Sequence, residues 1–596
     1  MSSIRRLSTL ALTVLVAVAL AIPAGAAPSR HSSPPPHADR GLVERTLRRM
    51  TVEEKVGQLF WTRAYGANAH DTSYAAQNQG DYGVNTAAEV VSKYHLGGVL
   101  YFAWAGNTSH PDQMVELSNG LQKVATSSSS RVPLSLSIDQ EGGIVQRLLE
   151  PGTVFPGNMA LGATRSQELT GKQFAALGEE LRAVGVNTNF APVTDVNTNP
   201  ANPVIGVRSF GERPDLVGDL GAVATRNLQA NNVAATLKHF PGHGDTEVDS
   251  HYGLPIVTYD RQTLEETHLA PFRQAIDTAE PDAIMTAHIV VEAIDPENPA
   301  TLSKPVLTGL LRKDMGYEGL IVTDSLGMAG VREKYGDDRV PVLALLAGAD
   351  VMLNPPDMDA AYQGMLDAVA SGEISRKRLN AAVRRQLLWK AERDLFTDPY
   401  ADPSVVDRHV GTPDHLATAD TIAQRAATVV ANDDDLLPLA AGDGEAAVVG
   451  PSLGQPTVAA SELRERGLAT TVVSTGTQPT PAQISAAAAA ADDKDLAVVT
   501  GYSAWRYEKQ QELVSAVLDT GTPVLVLATR DAYDIAYLPA VTSYLATYGN
   551  MPVSIRGAMT VAFGEAPAKG RLPVTIPTAD GQGVLYPYGH GLGYDG

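Results

Sequence analysis

Fourteen consecutive residues, KHFPGHGDTEVDSH at 238–251, hold a lysine, three histidines, two aspartates and a glutamate. Pro241, Gly242 and Gly244 keep the stretch out of a helix, so it reads as a loop. Three kinds of chemistry fit it. His239, His243 and His251 are one conceivable set of metal ligands. Hydrolytic metal sites, however, use rigidly spaced donors that include a carboxylate, and these histidines are scattered along a glycine-containing loop. The polar side chains could instead serve only to tie the loop to itself. The third reading is acid–base catalysis. Asp249 and His251 are two apart, and in an extended segment such residues project to one side. The carboxylate would then hydrogen-bond one ring nitrogen and favour the imidazolium. Free histidine titrates near ~6.5, so such a pair is poised for proton transfer around neutral pH. Asp245 and Glu247 are further acids of the same loop. Asp324, closing the apolar run EGLIVTDS, is placed as a rigid carboxylate nucleophile.

Such residues must be held by something stiff. From about residue 42 to 395, eight short apolar runs alternate with helical patterns. The runs are 57–63, 96–104, 133–140, 187–196, 233–240, 283–290, 318–325 and 348–353. Between them, stretches such as 166–184, 216–230 and 263–278 carry apolar residues at helical spacing. Eight strand–helix units over roughly 300 residues predict a (β/α)8 TIM-type barrel, whose functional side chains sit at the C-terminal ends of its strands. Several runs end in polar groups. Asp139 and Glu141 follow the third, Asp195 and later Arg208 the fourth, and Lys238-His239 close the fifth. His288 lies in the sixth and Asp324 in the seventh. Gathered on one rim, they describe a polar pocket.

The remaining chain is read as supporting structure. The barrel is expected over 42–397 and a linker broken by Asp398-Pro399 and Asp402-Pro403 over 398–419. A smaller three-layer α/β sandwich is expected over 420–596. Its apolar runs are 446–449, 470–473, 496–500, 523–528 and 543–547, with an Ala-rich helix at 481–491. The glycine-rich tail PYGHGLGYDG reads as a surface extension. At the other end, Arg5-Arg6, an apolar stretch at 7–22 and Ala24-Gly25-Ala26 form a secretory signal peptide over 1–26, cleaved after Ala26 and followed by a flexible tether to residue 41. The paired arginines match a twin-arginine signal poorly. The chain has no cysteine, which removes disulfides, thiolate nucleophiles and a lipidated N-terminal Cys. A net charge of −21 argues against nucleic acid or an anionic membrane surface as the main partner.

The segments IDQEGG (138–143), VRSFG (207–211), KHFPGHGDTEVDSH (238–251), MTAHIV (285–290) and TDSLGM (323–328) resemble glycoside hydrolase family 3, most closely its β-N-acetylhexosaminidase branch. PVLVLATRDAYD (523–534) and GRLPVTIP (570–577) look like that family's sandwich domain. The resemblance implies that Asp324 is the nucleophile and that His251, paired with Asp249, is the acid/base. It implies that Asp139, Arg208, Lys238 and His239 grip the hydroxyls of the terminal sugar, and that His288 and Met328 line the pocket. It further implies cis bonds at Lys238–His239 and Phe240–Pro241. The expected protein is a secreted, retaining, exo-acting enzyme that removes terminal β-linked N-acetylglucosamine through a covalent glycosyl-aspartate. It needs no metal and no organic cofactor, takes a carbohydrate rather than a nucleic acid, has no stable membrane anchor and is a monomer. Within the family, a β-glucosidase or an N-acetylglucosaminide phosphorylase is the alternative. Outside it stand a metal-dependent barrel hydrolase and a non-catalytic sugar-binding protein. Ile144 departs from relatives that carry Arg after the EGG.

Overall fold

The computed structural model describes residues 39–594. The expected signal peptide lies outside the described residues, as does the tether up to residue 38. The chain is already helical at Arg40. The first domain is a barrel of eight strands: β1 (Phe60–Thr62), β2 (Gly98–Leu100), β3 (Ser135–Ile138), β4 (Thr188–Asn189), β5 (Ala234–Phe240), β6 (Ala283–Thr286), β7 (Leu320–Val322) and β8 (Met352–Leu353). Each falls inside one of the eight apolar runs. Neighbours pair in parallel in the order β7-β6-β5-β4-β3-β2-β1-β8, and a parallel bridge between Val322 and Val351 closes the ring. Parallel strands covered on both faces read as apolar runs because both sides are buried; all seven residues of β5 are.

Trp61, Leu100, Phe190, Ala234, Met285, Leu320, Val322 and Leu353 fill the barrel's interior together with Trp389 from the helix Arg376–Glu392. Trp61 and Trp389 meet with ring centroids 5.8 Å apart, and the Trp61 indole N–H donates to Gln386 at 3.2 Å. Among these apolar groups a Ser135–Thr188 hydroxyl pair is also buried, while the charged groups gather at the strand ends. Helices Gln167–Ala183 and Pro214–Ala230 match two of the expected stretches. The third is a π-helical turn, Leu264–His268, leading into the helix Ala270–Ala279. A small side sheet pairs Ile256–Val257 with Val290–Val291, and that in turn with Asp295–Pro299. It anchors the far end of the loop that follows β5.

The second domain holds a six-stranded sheet: β9 (Thr428–Asn432), β10 (Glu445–Pro451), β11 (Ala469–Thr475), β12 (Leu496–Gly501), β13 (Val524–Ala528) and β14 (Ser543–Ala546). The order is β9-β14-β13-β12-β10-β11, with only β9 antiparallel to its neighbour. β9 has no counterpart among the expected runs. The Ala-rich segment is the helix Pro481–Ala491, opened by a Thr480/Gln483 capping box.

The segment expected as a linker is largely structured. It contains the short helix Val406–His409 and the start of the helix Pro413–Ala426, which buries Ala419, Ile422, Ala423 and Ala426 between the domains. Asp402-Pro403 opens a short 3-10 turn, Pro403–Val405, and Pro413 likewise stands at a helix start, where its missing N–H costs nothing. Met159, Ala160, Ala163 and Val207 of the barrel join the core of the second domain, and Ile144 packs against that core. The glycine-rich tail lies on the surface but is pinned there. Leu592 bridges Val429, and the Tyr588 ring lies against the guanidinium groups of Arg165 and Arg213. No described helix is long and apolar enough to cross a membrane.

Candidate active site

A cavity of about 460 Å³ opens at the C-terminal mouth of the barrel. It is lined by Asp139, Glu141, Arg208, Lys238, His239, His251, Asp324 and Met328, among others. Two larger clefts, of about 700 and 830 Å³, lie at the barrel's opposite end and on the second domain. Size therefore does not single out the site; the convergence of charged strand ends does.

The floor of the cavity is an ion cluster. Lys238, 2% exposed, donates to Asp139 at 2.9 Å and contacts Glu141 at 2.7 Å. Arg208 grips the same Glu141 with two parallel bonds of 2.8 and 3.0 Å. Burial alone would push the Glu141 carboxyl up, but Arg208 and Lys238 hold it well below the usual carboxylate range. Burial would likewise strip the proton from Lys238, and Asp139 and Glu141 reverse that. Glu141, placed on the polar rim by its sequence, is thus the shared carboxylate of the cluster. The signal for it was its place, two residues past the Asp139 strand end. Gly142 and Gly143, at φ +87° and +62°, let the chain turn there, and a Cβ on Gly142 would meet the Pro156 carbonyl oxygen at 2.8 Å.

Beside this floor, the fully buried Asp195 accepts from His239 Nδ1 at 2.7 Å and from the backbone N–H of His239 and His243. The His239 ring lines the cavity with Nε2 unpartnered among the described residues. The bonds at Lys238–His239 and Phe240–Pro241 are both cis. His243 is different. Its Nδ1 lies 2.7 Å from the Thr246 hydroxyl and its Nε2 2.8 Å from that of Ser250, and burial pulls its pKa down to about 4. With both ring nitrogens occupied it cannot complete a three-histidine metal site; it is an internal strut of the loop.

Asp324 stands directly after β7, its Oδ1 accepting from Ser325 N–H at 2.7 Å. Burial would raise its pKa, but His239, His288 and that N–H keep it below 3.8, so the carboxylate is ionised. Met328 lines the cavity, as expected. His288 does not. It is fully buried behind Ser325, donating from Nε2 to the Ser325 carbonyl at 2.9 Å with Nδ1 2.7 Å from the Thr301 hydroxyl.

Asp249 and His251 do pair, but through a turn rather than an extended segment. Asp249 Oδ1 accepts from the His251 backbone N–H at 2.9 Å and from Nδ1 at 2.7 Å. Aspartate readily bonds the amide two residues on, and that preference closes the turn. The side chain of His251 is 55% exposed and its pKa is raised, chiefly by the Asp249 hydrogen bond. Two backbone bonds strap the loop to the segment after Asp324: Ala329 N–H to the His251 carbonyl at 3.5 Å and Gly330 N–H to that of Ser250 at 3.4 Å. At the other side Gly244 presses on β4's extension, where a Cβ would lie 1.8 Å from the Val196 carbonyl oxygen. Asp245 is tied to Thr198 at 2.7 Å, and Glu247 is exposed.

One more polar residue reaches the cavity unannounced. Asn354 follows β8 at φ +49° and donates to the Ser325 hydroxyl at 3.0 Å. A polar residue just past the last strand was the available signal.

A barrel whose strand ends gather an ionised carboxylate, a carboxylate-paired histidine and a buried lysine–arginine–glutamate cluster has the layout of a barrel enzyme's active site. The chain belongs to glycosyl hydrolase family 3. The family's N-terminal domain profile matches residues 51–388, and its C-terminal domain profile matches 427–594. The chain is 38% identical over 376 residues to beta-hexosaminidase A of Pseudoalteromonas piscicida, a match covering 59% of this chain and 62% of that protein. It is 27% identical over 585 residues to a beta-N-acetylglucosaminidase/beta-glucosidase of Cellulomonas fimi, covering 89% and 95%. The solved structure of a family 3 beta-N-acetylglucosaminidase from Paenibacillus sp. str. FPU-7 superposes with a TM-score of 0.82 at 36% identity, covering 89% of this chain and 99% of that one.

Proposed function

We propose that this chain is a retaining exo-β-N-acetylhexosaminidase with Asp324 as nucleophile and His251 as acid/base. The observation that carries this reading is the Asp249–His251 pair, strapped by two backbone bonds to the segment that follows the ionised Asp324. In the first step, the Asp324 carboxylate attacks the anomeric carbon while the His251 imidazolium protonates the departing glycosidic oxygen. In the second, neutral His251 takes a proton from water, the hydroxide bonds to the anomeric carbon and the Asp324 ester bond breaks. Asp249 holds the ring through Nδ1, which leaves Nε2 as the atom that carries the proton, and it stabilises the charged form. Asp139, Arg208, Lys238 and His239 hold the terminal sugar, with Glu141 fixing the two cations. The relatives named as hexosaminidases and N-acetylglucosaminidases support the sugar class. The signal-peptide pattern at 1–26 supports secretion.

A panel of aryl β-glycosides (N-acetylglucosaminide, glucoside, xyloside), assayed with and without phosphate, tests the reading. The N-acetylglucosaminide is expected to turn over about ten- to a hundredfold faster than the glucoside. A glucoside preference would overturn the sugar assignment. A glycosyl phosphate product would replace hydrolysis by phosphorolysis.

A further inference from the structure

The sheet of the second domain reverses its strand order once. From β10 the chain lays β11 on one side, then steps back to place β12, β13 and β14 on the other. At such a reversal a crevice opens beyond the carboxyl ends of the strands, and open α/β sheets bind ligands there. Here that crevice holds a cavity of about 170 Å³. Leu453 past β10, Thr477 past β11, Tyr502 and Arg506 past β12, and Arg530 past β13 line it, and the barrel segment 202–206 closes it from the other side. In a chain of net charge −21, two guanidinium groups on one cavity wall are unusual. The single carboxylate of the lining, Asp531, is engaged elsewhere. Its Oδ2 accepts from the Trp505 indole N–H at 3.0 Å and from the Ser503 hydroxyl at 3.2 Å. Arg530 Nε lies 3.6 Å from that oxygen, beyond hydrogen-bonding reach. Arg530 donates instead from Nη1 to the Tyr502 hydroxyl at 2.7 Å, and the Arg506 guanidinium has no hydrogen-bond or ion-pair partner among the described residues. Each cation lies over a tyrosine ring, Arg530 over Tyr502 at 5.4 Å and Arg506 over Tyr507 at 5.7 Å. A ring holds a planar cation in place without neutralising it.

We infer that this interdomain cavity binds a small oxyanion, and that the anion acts as an effector of the barrel's active site rather than as a reactant. The unspent N–H groups of Arg506 and Arg530 are what an oxyanion takes, as is the Tyr502 hydroxyl, whose proton is free once its oxygen has accepted from Arg530. The volume is below the 300 Å³ or so that a larger organic ligand needs. The cavity and the catalytic one have a single lining residue in common, Val204. The Val204 carbonyl accepts from Arg208 Nη1 at 3.2 Å. Asn202 donates to the His243 carbonyl at 2.9 Å, and its Oδ1 takes the N–H groups of Val204 and Ile205. Fixing the segment 202–206 against the second domain therefore fixes both the cation that grips Glu141 and the root of the loop that carries His251.

The probe is sulfate, too weak a nucleophile to take a glycosyl group, exchanged for chloride at constant ionic strength. Trp505 lines the cavity, so tryptophan fluorescence reports binding. A saturable change is expected, and kcat/KM for the aryl β-N-acetylglucosaminide should rise about fivefold with the same half-saturating sulfate concentration. Arg506→Gln combined with Arg530→Gln should abolish both responses and leave the sulfate-free rate unchanged, because neither residue lines the catalytic cavity. Glucuronate in place of sulfate separates two sources of the charge. A response to sulfate alone assigns the site to a free ion, and a response to glucuronate alone assigns it to a carboxylate carried on a sugar. No saturable change with either anion, or a change that survives in the double variant, would overturn the site. Binding without any change in rate would overturn the effector role. The fluorescence titration needs no turnover, so a chain that fails to cleave the glycoside would defeat the hexosaminidase reading and not the anion site.

Discussion

The barrel has a buried carboxylate clamped by cations at each end, and the two do different jobs. Below the strands, the fully buried Asp350 is surrounded by Arg312 at 2.5 Å, Arg385 at 3.2 Å and Arg378 at 3.4 Å. Both Asp350 oxygens are taken, and Arg312 and Arg378 also donate to backbone carbonyls of the surrounding elements. Above them, Glu141 is just as saturated, by Arg208 and Lys238. Its neighbours, however, keep atoms free. Asp139 uses one oxygen on Lys238, His239 has Nε2 open, and Asp324 bonds its own chain through one oxygen only. Similar residue types thus hold the barrel together at the N-terminal ends of the strands and grip a ligand at the C-terminal ends. The distinguishing feature is unspent hydrogen-bonding capacity beside the clamp, not the clamp.

If that is right, removing each carboxylate fails in a different assay. Glu141→Gln is expected to cut kcat/KM about a hundredfold or more by misplacing Arg208 and Lys238. Its denaturant midpoint should fall less than that of Asp350→Ala, because Gln keeps the shape, Lys238 keeps Asp139 and only Arg208 loses its carboxylate. Asp350→Ala leaves three guanidinium groups uncompensated and is expected to cost about 3–5 kcal/mol in denaturant unfolding, with kcat/KM of the folded enzyme unchanged. Equal behaviour of the two variants in both assays would erase the distinction between the ends.

A smaller effect is expected at the exposed pair. kcat/KM requires His251 protonated and Asp324 ionised. The His251 pKa is raised above 6.5, chiefly by the Asp249 hydrogen bond, so activity is present below that raised value and lost as pH rises through it. On the acid side activity is lost only as pH falls through the Asp324 value, held below 3.8. Asp249→Asn removes the charge and should move the basic limb to lower pH while lowering kcat about tenfold. An unmoved basic limb would leave Asp249 a purely structural role.

The eight barrel strands were readable because each lies, buried, within a largely apolar run; a strand such as Leu320–Val322 needs no partner to announce itself. β9 was not, since Thr428–Asn432 follows directly on a helix and is defined by pairing with a strand more than a hundred residues later. The charged rim was visible as polar residues ending apolar runs, which is how Asp139, Lys238 and Asp324 stood out. Glu141 was visible on the same rim, though not as the shared partner of Arg208 and Lys238; Asn354 was passed over because it lies just beyond its strand, where a polar residue is the ordinary expectation of a turn. His288 was misplaced for the opposite reason. A histidine at a strand end looks like a pocket residue until its two ring nitrogens are found spent on Thr301 and the Ser325 carbonyl. The Asp249–His251 pairing was anticipated from spacing, but its cause is an aspartate turn that period-two geometry does not describe.

The most direct test of the central claim uses His251→Ala with an aryl N-acetylglucosaminide whose leaving group is acidic. Such a leaving group needs little protonation, so the first step should survive while the second, deprived of its base, stalls. A burst followed by slow turnover is expected. Azide needs no base, so it should restore turnover and yield a β-glycosyl azide. Asp324→Ala, unable to form the intermediate, should show neither burst nor a retained-configuration azide product. If His251→Ala loses activity equally on good and poor leaving groups and azide changes nothing, His251 is not the acid/base and serves only to tie down its loop.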